Sequence, residues 1–178
     1  MGVAGMSDFE LQPQLTGELL ELRPLRSEDW EALFRVASDP TIWEQHPSHD
    51  RYQEEVFRKV FQGALESGGA LVAIDRKTGK MIGSSRYHGY DPEKREIEIG
   101  WTFLARSHWG GEYNREMKRL MLDHAFRFVD SVTFAVGTEN WRSRKAVEKI
   151  GGVLRGRKNV DLHGTVVEHV VYQIKRAI

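Results

Sequence analysis

The chain has 178 residues (20.5 kDa), with 26 basic residues that balance 26 acidic ones and with no cysteine. A chain of this length fits one domain that buries about 70% of the surface its unfolded form exposes. The missing cysteine excludes disulfides, thiolate metal sites and a cysteine nucleophile, and the neutral charge disfavours bulk binding of nucleic acid or an anionic membrane.

The N-terminal segment carries no structural signal. Residues 1–16 show no periodicity, so we expect a loose lead-in to one domain spanning 1–178. Residues 1–6 lack the basic and long apolar stretches of a signal peptide, and the longest apolar run, Ala70–Ile74, is far shorter than the roughly 20 residues of a membrane span. A cytoplasmic protein is therefore expected, with Met1 or Met6 as its natural start.

The first third of the chain predicts one strand and two helices. Alternating apolar residues from Leu20 predict a strand that Pro24 ends. Ser27 is expected to cap the first helix, and a second helix is expected from about Asp50 to Glu66. The apolar face of the first helix consists of Trp30, Leu33, Phe34 and Ala37.

Strands dominate the middle of the chain. A hairpin is predicted for Ala70–Asp75 and Lys80–Tyr90, followed by a strand at Glu96–Leu104. A long amphipathic helix is predicted from Asn114, and a short buried strand at Ser131–Val136. Because a strand, a helix and a strand in succession form a right-handed crossover, the strands at its two ends should be parallel.

The last third predicts a helix over Asn140–Ile150 and a hairpin of Val153–Asp161 with Thr165–Lys175, turning at His163 and Gly164. The predicted order is β-α-α-β-β-β-α-β-α-β-β, an α/β (α+β) fold with a mixed central sheet flanked by helices.

The segment most informative about chemistry joins the strand at Glu96–Leu104 to the long helix. Gly110 and Gly111 stand just before the helix start, where backbone N–H groups and the helix dipole can bind a phosphate. Two glycines also make a plain turn into a helix, so this feature alone leaves both interpretations open. The sequence contains no P-loop, no G-x-G-x-x-G and no nucleophile elbow.

Two motifs in the right order resemble the GNAT acyltransferase superfamily, within it the ribosomal-protein N-terminal acetyltransferase group. The first is Trp109-Gly110-Gly111-Glu112-Tyr113-Asn114, and the second runs from Asn140-Trp141-Arg142-Ser143 to Glu148-Lys149-Ile150-Gly151. The resemblance extends from about Gly17 to Ile178. It implies a splayed sheet and acetyl-coenzyme A as co-substrate, without a metal.

The resemblance also implies which residues bind the co-substrate. The backbone of Thr102, Phe103 and Leu104 would pair with the pantetheine arm, and Asn140 would bind its amides or simply cap a helix. The pyrophosphate loop would comprise Arg106, Trp109, Gly110, Gly111, Glu112, Tyr113 and Asn114. Glu112 occupies the place of a small residue, and a carboxylate there repels a pyrophosphate unless it points to solvent or pairs with Arg115.

Direct acetyl transfer needs a neutral amine, so a carboxylate that accepts a proton is expected. Glu98 is the first candidate and Glu96 the second, although both also fit an ordinary polar strand face. The tyrosine that many family members place seven residues after the asparagine is replaced by Val147. Ser143 resembles the serine that bonds the leaving thiolate in the ribosomal-protein group; Tyr172 is a weaker alternative.

Other polar residues have weaker assignments. Trp43, His46 and Tyr52 are expected to line the acceptor entrance, with His88 facing the same cleft, whereas His163 and His169 are interpreted as structural. His46 and His49 lack a third metal ligand. Some cations of the two helices either bind the 3′-phosphate of coenzyme A or form a solvated face: Arg115, Lys118, Arg119, Arg142, Arg144 and Lys145.

The sequence thus predicts an acetyl-coenzyme A dependent N-acetyltransferase, whose acceptor is a protein N-terminus, a polyamine or another small amine. An idle acyl-coenzyme A sensor of the same fold and a nucleic-acid-binding domain are the alternatives, the latter disfavoured by neutral charge. A homodimer is left open.

Overall fold

A computed structural model describes residues 8–162 and 164–177. Its centre is one eight-stranded sheet with the strand order β1-β2-β3-β4-β5-β6-β8-β7. The strands are β1 (Leu15–Thr16), β2 (Leu20–Pro24), β3 (Ala70–Asp75), β4 (Met81–Asp91), β5 (Glu96–Leu104), β6 (Ser131–Gly137), β7 (Val153–Leu162) and β8 (Thr165–Lys175).

In this described part of the chain, four α-helices cover the two faces of the sheet: α1 (Trp30–Ala37), α2 (Glu54–Ser67), α3 (Glu112–Ala125) and α4 (Trp141–Lys149). Alternate residues of β3 belong to different cores, because successive side chains of a strand point to opposite faces. Leu71 packs in the core beneath α3, whereas Val72 packs in the core formed with α1 and α2. Among the residues described, no helix is long and apolar enough to cross a membrane.

The predicted order of elements is confirmed from β2 onward, as is the mixed sheet; the short strand β1 lies in the segment that was predicted to be a loose lead-in. Strands β5 and β6 are parallel, as the crossover requires, and the hairpins of β3 with β4 and β7 with β8 are antiparallel. Ser27 begins a short 3₁₀ turn rather than capping α1, and the turn's Asp29 accepts hydrogen bonds from Arg23 and from the backbone N–H of Arg26. The predicted turn residue His163 lies outside the described residues.

The described part of the N-terminal segment is not the loose lead-in that the sequence predicted. The side chain of Phe9 is 8% exposed and packs against the rings of Tyr87, Phe128 and His124. A single aromatic residue in a short segment leaves no periodic pattern, so sequence inspection could not detect this anchor.

Strands β5 and β6 diverge, and this divergence positions the site. They pair only from Glu96 with Ser131 to Glu98 with Thr133, although β5 continues to Leu104 and β6 to Gly137. From Ile99 onward the edge of β5 that faces β6 therefore has no ladder partner.

Candidate active site

The space between the diverging strands is a cavity of about 420 Å³. Its walls come from β5, β6, the loop after β5, the first turns of α3, one face of α4 and the segment between α1 and α2. Acetyl-coenzyme A is long and thin, and a wedge between two strands with an unpaired edge offers it backbone hydrogen bonds along its arm.

The β5 wall of the cavity contains a bulge. Ser84 pairs with Phe103 but Arg86 pairs with Gly100, so the intervening residues of β5 lack regular partners. Trp101 in this bulge has φ of 53°, in the left-handed region that a non-glycine residue seldom adopts. Such strained positions cluster at functional sites because they redirect backbone groups.

The loop after β5 ends in two glycines with positive φ, 119° at Gly110 and 105° at Gly111. Gly111 is the N-cap of α3, and a Cβ on Gly110 would meet no other atom within 4 Å. Glycine is therefore favoured here by the positive φ of the backbone and not by a lack of space for a side chain. Both glycines line the cavity together with Asn114 and Arg115, so the first turn of α3, whose N–H groups have no partner within the helix, lies at the cavity wall.

Buried polar contacts hold this loop in place. Asp75 at the end of β3 bonds the ring of His108 (2.9 Å) and accepts a bond from the hydroxyl of Tyr113 (3.3 Å). The hydrogen bond from His108 holds the pKa of Asp75 below its ordinary value. The indole N–H of Trp109 donates to the carbonyl of Leu104 at 3.0 Å. The loop is therefore preorganised rather than ordered by the ligand.

The α4 wall carries Asn140 and Ser143. Asn140 is 4% exposed and caps α4, its Oδ1 accepting the backbone N–H of Ser143 at 3.4 Å. Within the described residues neither the Asn140 amide nitrogen nor the Ser143 hydroxyl has a hydrogen-bond partner, and both residues line the cavity. Val147, one turn further, contributes an apolar surface.

The charge of the cavity is one-sided. No described lining residue is a carboxylate, although the chain as a whole is neutral. Six lining residues are cationic: Arg51, Arg115, Lys118, Arg142, Lys145 and Lys149. A positive cavity in a neutral protein fits a polyanion such as coenzyme A, whose phosphates require local cations.

Most residues predicted to bind the co-substrate are brought together in this cavity, while four predicted site residues lie outside its lining. The cavity is lined by Thr102, Phe103, Leu104, Trp109, Gly110, Gly111, Asn114, Asn140 and Ser143. Glu98 instead pairs with Lys158 (3.4 Å), and Arg106 pairs with Asp39. Glu112 is exposed to solvent, and Tyr113 bonds Asp75.

The alternative proton donors and acceptors are engaged elsewhere. The carboxylate of Glu96 accepts from the hydroxyl of Ser131 (2.8 Å) and the amide of Gln173 (3.1 Å). The hydroxyl of Tyr172 donates to Glu148 at 2.6 Å, and the residue is 1% exposed. Tyr172 therefore belongs to the structural framework behind α4.

On the acceptor side, Trp43 and His46 line the cavity as expected, but Tyr52 does not. His88 contacts the edge of Trp101 rather than the cavity. His169, interpreted from sequence as structural, lines the cavity from β8. No group of three potential metal ligands occurs in the described ranges.

Sequence inspection missed two features of the lining. Lys118 was one of several helix cations, yet it is 5% exposed, and burial lowers its pKa to about 8. Arg51, 6% exposed, lies in a loop whose sequence gives no sign of burial. Arg86 is a further buried charge, although it does not line the cavity. Its position within a predicted strand is the sequence feature that could have indicated its burial.

Comparison with known proteins identifies the family. The family model described as "Acetyltransferase (GNAT) domain" matches residues 20–153, about three quarters of the chain. The chain belongs to the GNAT acetyltransferase family. It is therefore an acetyl-coenzyme A dependent acyltransferase, and its lining fits that co-substrate. A sequence comparison with curated proteins finds no significant match.

Solved structures share the fold over most of the chain. A candidate acetyltransferase from T. thermophilus is 29% identical, with 91% of this chain and 88% of that chain covered and a TM-score of 0.74. A GCN5-related N-acetyltransferase from Brucella melitensis is 19% identical (92% and 79% covered, TM-score 0.78). The ribosomal-protein-S5-alanine acetyltransferase from Vibrio fischeri is 18% identical (92% and 96% covered, TM-score 0.68).

Proposed function

We propose that this GNAT acetyltransferase moves the acetyl group of acetyl-coenzyme A to a primary amine by direct attack, without an acetyl-enzyme. One observation carries the proposal. A cavity runs along the unpaired edge of β5 to Gly110 and Gly111 at the start of α3, and its described lining contains cations but no carboxylate. A thioester arm along β5 would place its phosphates at the helix start.

Each wall has a role in this proposal. The backbone of Thr102–Leu104 pairs with the pantetheine arm, and the amide nitrogen of Asn140 donates to one of its carbonyl groups. Gly110, Gly111 and Asn114 supply N–H groups to the pyrophosphate. The outward position of exposed Glu112 keeps its carboxylate away from that anion.

The chemical step needs a proton acceptor and a stabiliser of the leaving thiolate. The amine nitrogen attacks the thioester carbonyl carbon, the carbon–sulfur bond breaks, and the proton of the amine leaves to water. The carboxylate of Glu98 lies outside the cavity lining, so it cannot take this proton directly. A water molecule would instead pass the proton to Glu98. The uncommitted hydroxyl of Ser143 would donate a hydrogen bond to the departing sulfur.

A catalytically idle sensor of acyl-coenzyme A is the second candidate. The residue at the usual tyrosine position is Val147, and no carboxylate is present in the described lining. Both features weaken acid–base catalysis without affecting binding of the co-substrate.

The test measures binding and turnover separately. Acetyl-coenzyme A should raise the melting temperature, and thiol release should appear on addition of an amine from a panel of small amines, polyamines and peptides. The protein has no cysteine, so the thiol background is low. Stabilisation without turnover on any acceptor would favour the sensor, and no stabilisation would exclude both functions.

Variants then test the assigned roles. Ser143→Ala and Glu98→Gln should each lower kcat about 100-fold, the low end of general acid–base effects, with little change in the Kd for acetyl-coenzyme A. Glu93→Gln, an exposed change in the turn before β5, is the matched control. Rates equal to the control would remove Ser143 or Glu98 from the mechanism.

We further propose that the chain 1–178 acts as one acyltransferase domain in the cytoplasm, alone or as a homodimer. Sedimentation of the purified chain distinguishes the two states.

A further inference from the structure

Two arginines buried near the acceptor side of the cavity have no salt-bridge partner among the described residues. Arg51 is 6% exposed and Arg86 on β4 is 7% exposed. Among the ion pairs of the described residues, none includes either guanidinium. Buried charges are normally paired, because removing an unpaired ion from water costs several kcal/mol. Two such groups in one small region need an explanation.

The surroundings of Arg86 are aromatic rather than acidic. Its Nε is buried and has no hydrogen-bond partner in the described part of the chain. The guanidinium stacks over the ring of Trp101, 4.1 Å from the ring centroid, and Trp101 lines the cavity from the strained bulge of β5. Stacking orients the plane of the guanidinium but leaves its N–H donors for another acceptor.

Arg51 adds a second positive charge to the same region. It lines the cavity, and within the described residues its hydrogen-bond contact is with a ring nitrogen of His46, 3.5 Å from Nη1, while the charge of Asp50 acts on it from a longer distance. Burial lowers the pKa of each arginine to about 10, and the charge of Arg51 contributes to the lowering at Arg86. Burial and the charge of Arg51 also lower the pKa of His46, which is therefore neutral at pH 7. An anion between these groups would relieve their repulsion.

This anion is not the pyrophosphate of the co-substrate. Trp101 lies three strand residues before Leu104, about 10 Å along β5, and the chain reaches Gly110 only after a further loop. The arginines therefore lie on the acceptor side of the splay, whereas the helix start lies on the co-substrate side. The anionic group belongs to the acceptor.

The acceptor side is closed by a fastened segment, Asp39–Arg51, which we call the strap. Arg142 on α4 donates to the carbonyl of Ile42 (2.8 Å) from its side chain and to Oε1 of Gln45 (2.9 Å) from its backbone. At the other side, Asp39 pairs with Arg106 after β5. Bonds to both the loop after β5 and α4 tie the strap across the splay, and a strap fixed in this way favours a small acceptor.

A proline of the strap tightens this closure. Pro47 packs so closely on Gly137 at the end of β6 that a Cβ at residue 137 would lie 2.4 Å from its Cγ. The strap therefore contacts the end of β6 directly.

We propose that the acceptor is a small amine carrying a carboxylate, which Arg51 binds from the cavity lining while its amine faces the thioester; Arg86, outside the lining and stacked on Trp101, adds positive charge to the same side. This inference rests on the proposed function and names its substrate class. The reaction forms an N-acetyl amide and releases coenzyme A. The amine nitrogen gives one proton to water, the departing thiolate takes one proton from water to become the thiol, and the carboxylate is unchanged. A polyamine would be repelled by the same charges.

The experiment compares matched acceptors. Small amines are assayed as pairs that differ only in one group, a free carboxylate or its carboxamide. The wild type should prefer the carboxylate member in kcat/KM by about 10- to 100-fold, as expected for charge-assisted hydrogen bonds. In Arg51→Gln and Arg86→Gln the preference should fall toward unity through a higher KM, whereas Arg51→Lys should keep part of it.

The control is Arg58→Gln, an exposed arginine of α2 whose partner is Glu54. It should retain the wild-type preference. Equal rates on both members of every pair, or a preference for polyamines or peptides over all carboxylate-bearing small amines, would overturn the inference. Stabilisation by acetyl-coenzyme A must persist in Arg51→Gln; its absence in the wild type would instead contradict the proposed function.

If no amine of the panel is acetylated, a binding measurement tests the inference instead. With coenzyme A present, acetate should raise the melting temperature of the wild type above that in chloride at equal ionic strength. Arg51→Gln should show no such difference. The same lack of response in the wild type would overturn the inference.

Discussion

Replacing Lys118 with methionine should make the protein more stable. The Lys118 ammonium is buried on α3, and burial lowers its pKa from the ordinary 10.5 to about 8. A pKa difference of this size corresponds to about 3 kcal/mol against the charged side chain in the folded state. Methionine keeps the length of the side chain but loses the hydrogen bond from Nζ to Asn114 (3.3 Å), worth about 1 kcal/mol.

The net gain at pH 7 is therefore about 2 kcal/mol, which for a chain of this size raises the melting temperature by about 4–8 °C. The sign of its pH dependence follows from linkage. Because the pKa is lower in the folded state than in the unfolded chain, only the unfolded chain is protonated between pH 8 and 10.5. The unfolding free energy contributed by Lys118 rises across that window, so the advantage of the variant should shrink there.

Urea unfolding followed by tryptophan fluorescence at pH 7, 9 and 10 measures this difference. Lys59→Met, at an exposed position of α2, is the control and should change stability little at any pH. A less stable Lys118→Met at pH 7, or an advantage constant from pH 7 to 10, would refute the reasoning. The variant should also bind acetyl-coenzyme A more weakly, because it removes a cation from the cavity lining.

Further predictions concern the loop between β5 and α3, the strap and the backbone at the start of β2. Gly111→Ala should weaken acetyl-coenzyme A binding and cost about 1–2 kcal/mol of stability, because φ is 105° there; equilibrium binding and urea unfolding check both. Asp75→Asn should destabilise the protein at pH 7, and since the pKa of Asp75 is depressed by His108, the difference from wild type should vanish as the pH falls through that pKa in acid titrations. Glu116→Ala should cost about 2–4 kcal/mol, because its carboxylate accepts three backbone N–H groups at the start of β2; Glu116→Gln should cost less, and equal losses in chemical denaturation would contradict this account. Gly137→Ala should displace the strap and raise the KM for the acceptor more than that for acetyl-coenzyme A, as steady-state kinetics would show.

The buried charges show where sequence inspection stops. Lys118 is the residue after Met117, which belongs to the apolar stripe of α3. On an isolated helix, a side chain at this position would lie beside the stripe and contact solvent. In the structure α3 is buried over a wider arc, because β6 and the N-terminal segment also pack on it, and Glu116 and Lys118 are both enclosed. The hydrophobic pattern of a helix indicates its most buried side, not how many elements surround it.

The amino-acid sequence by itself determined the order of elements from β2 onward, the parallel crossover and the glycine pair at the start of α3. These features depend on local properties: side-chain periodicity, chain connectivity and the positive φ that only glycine adopts readily. Only the tertiary structure decided that Glu98, Arg106, Glu112 and Tyr113 lie outside the cavity lining. It also decided that Arg86 stacks on Trp101 within the electrostatic influence of Arg51, because burial and charge proximity depend on which distant segments pack together.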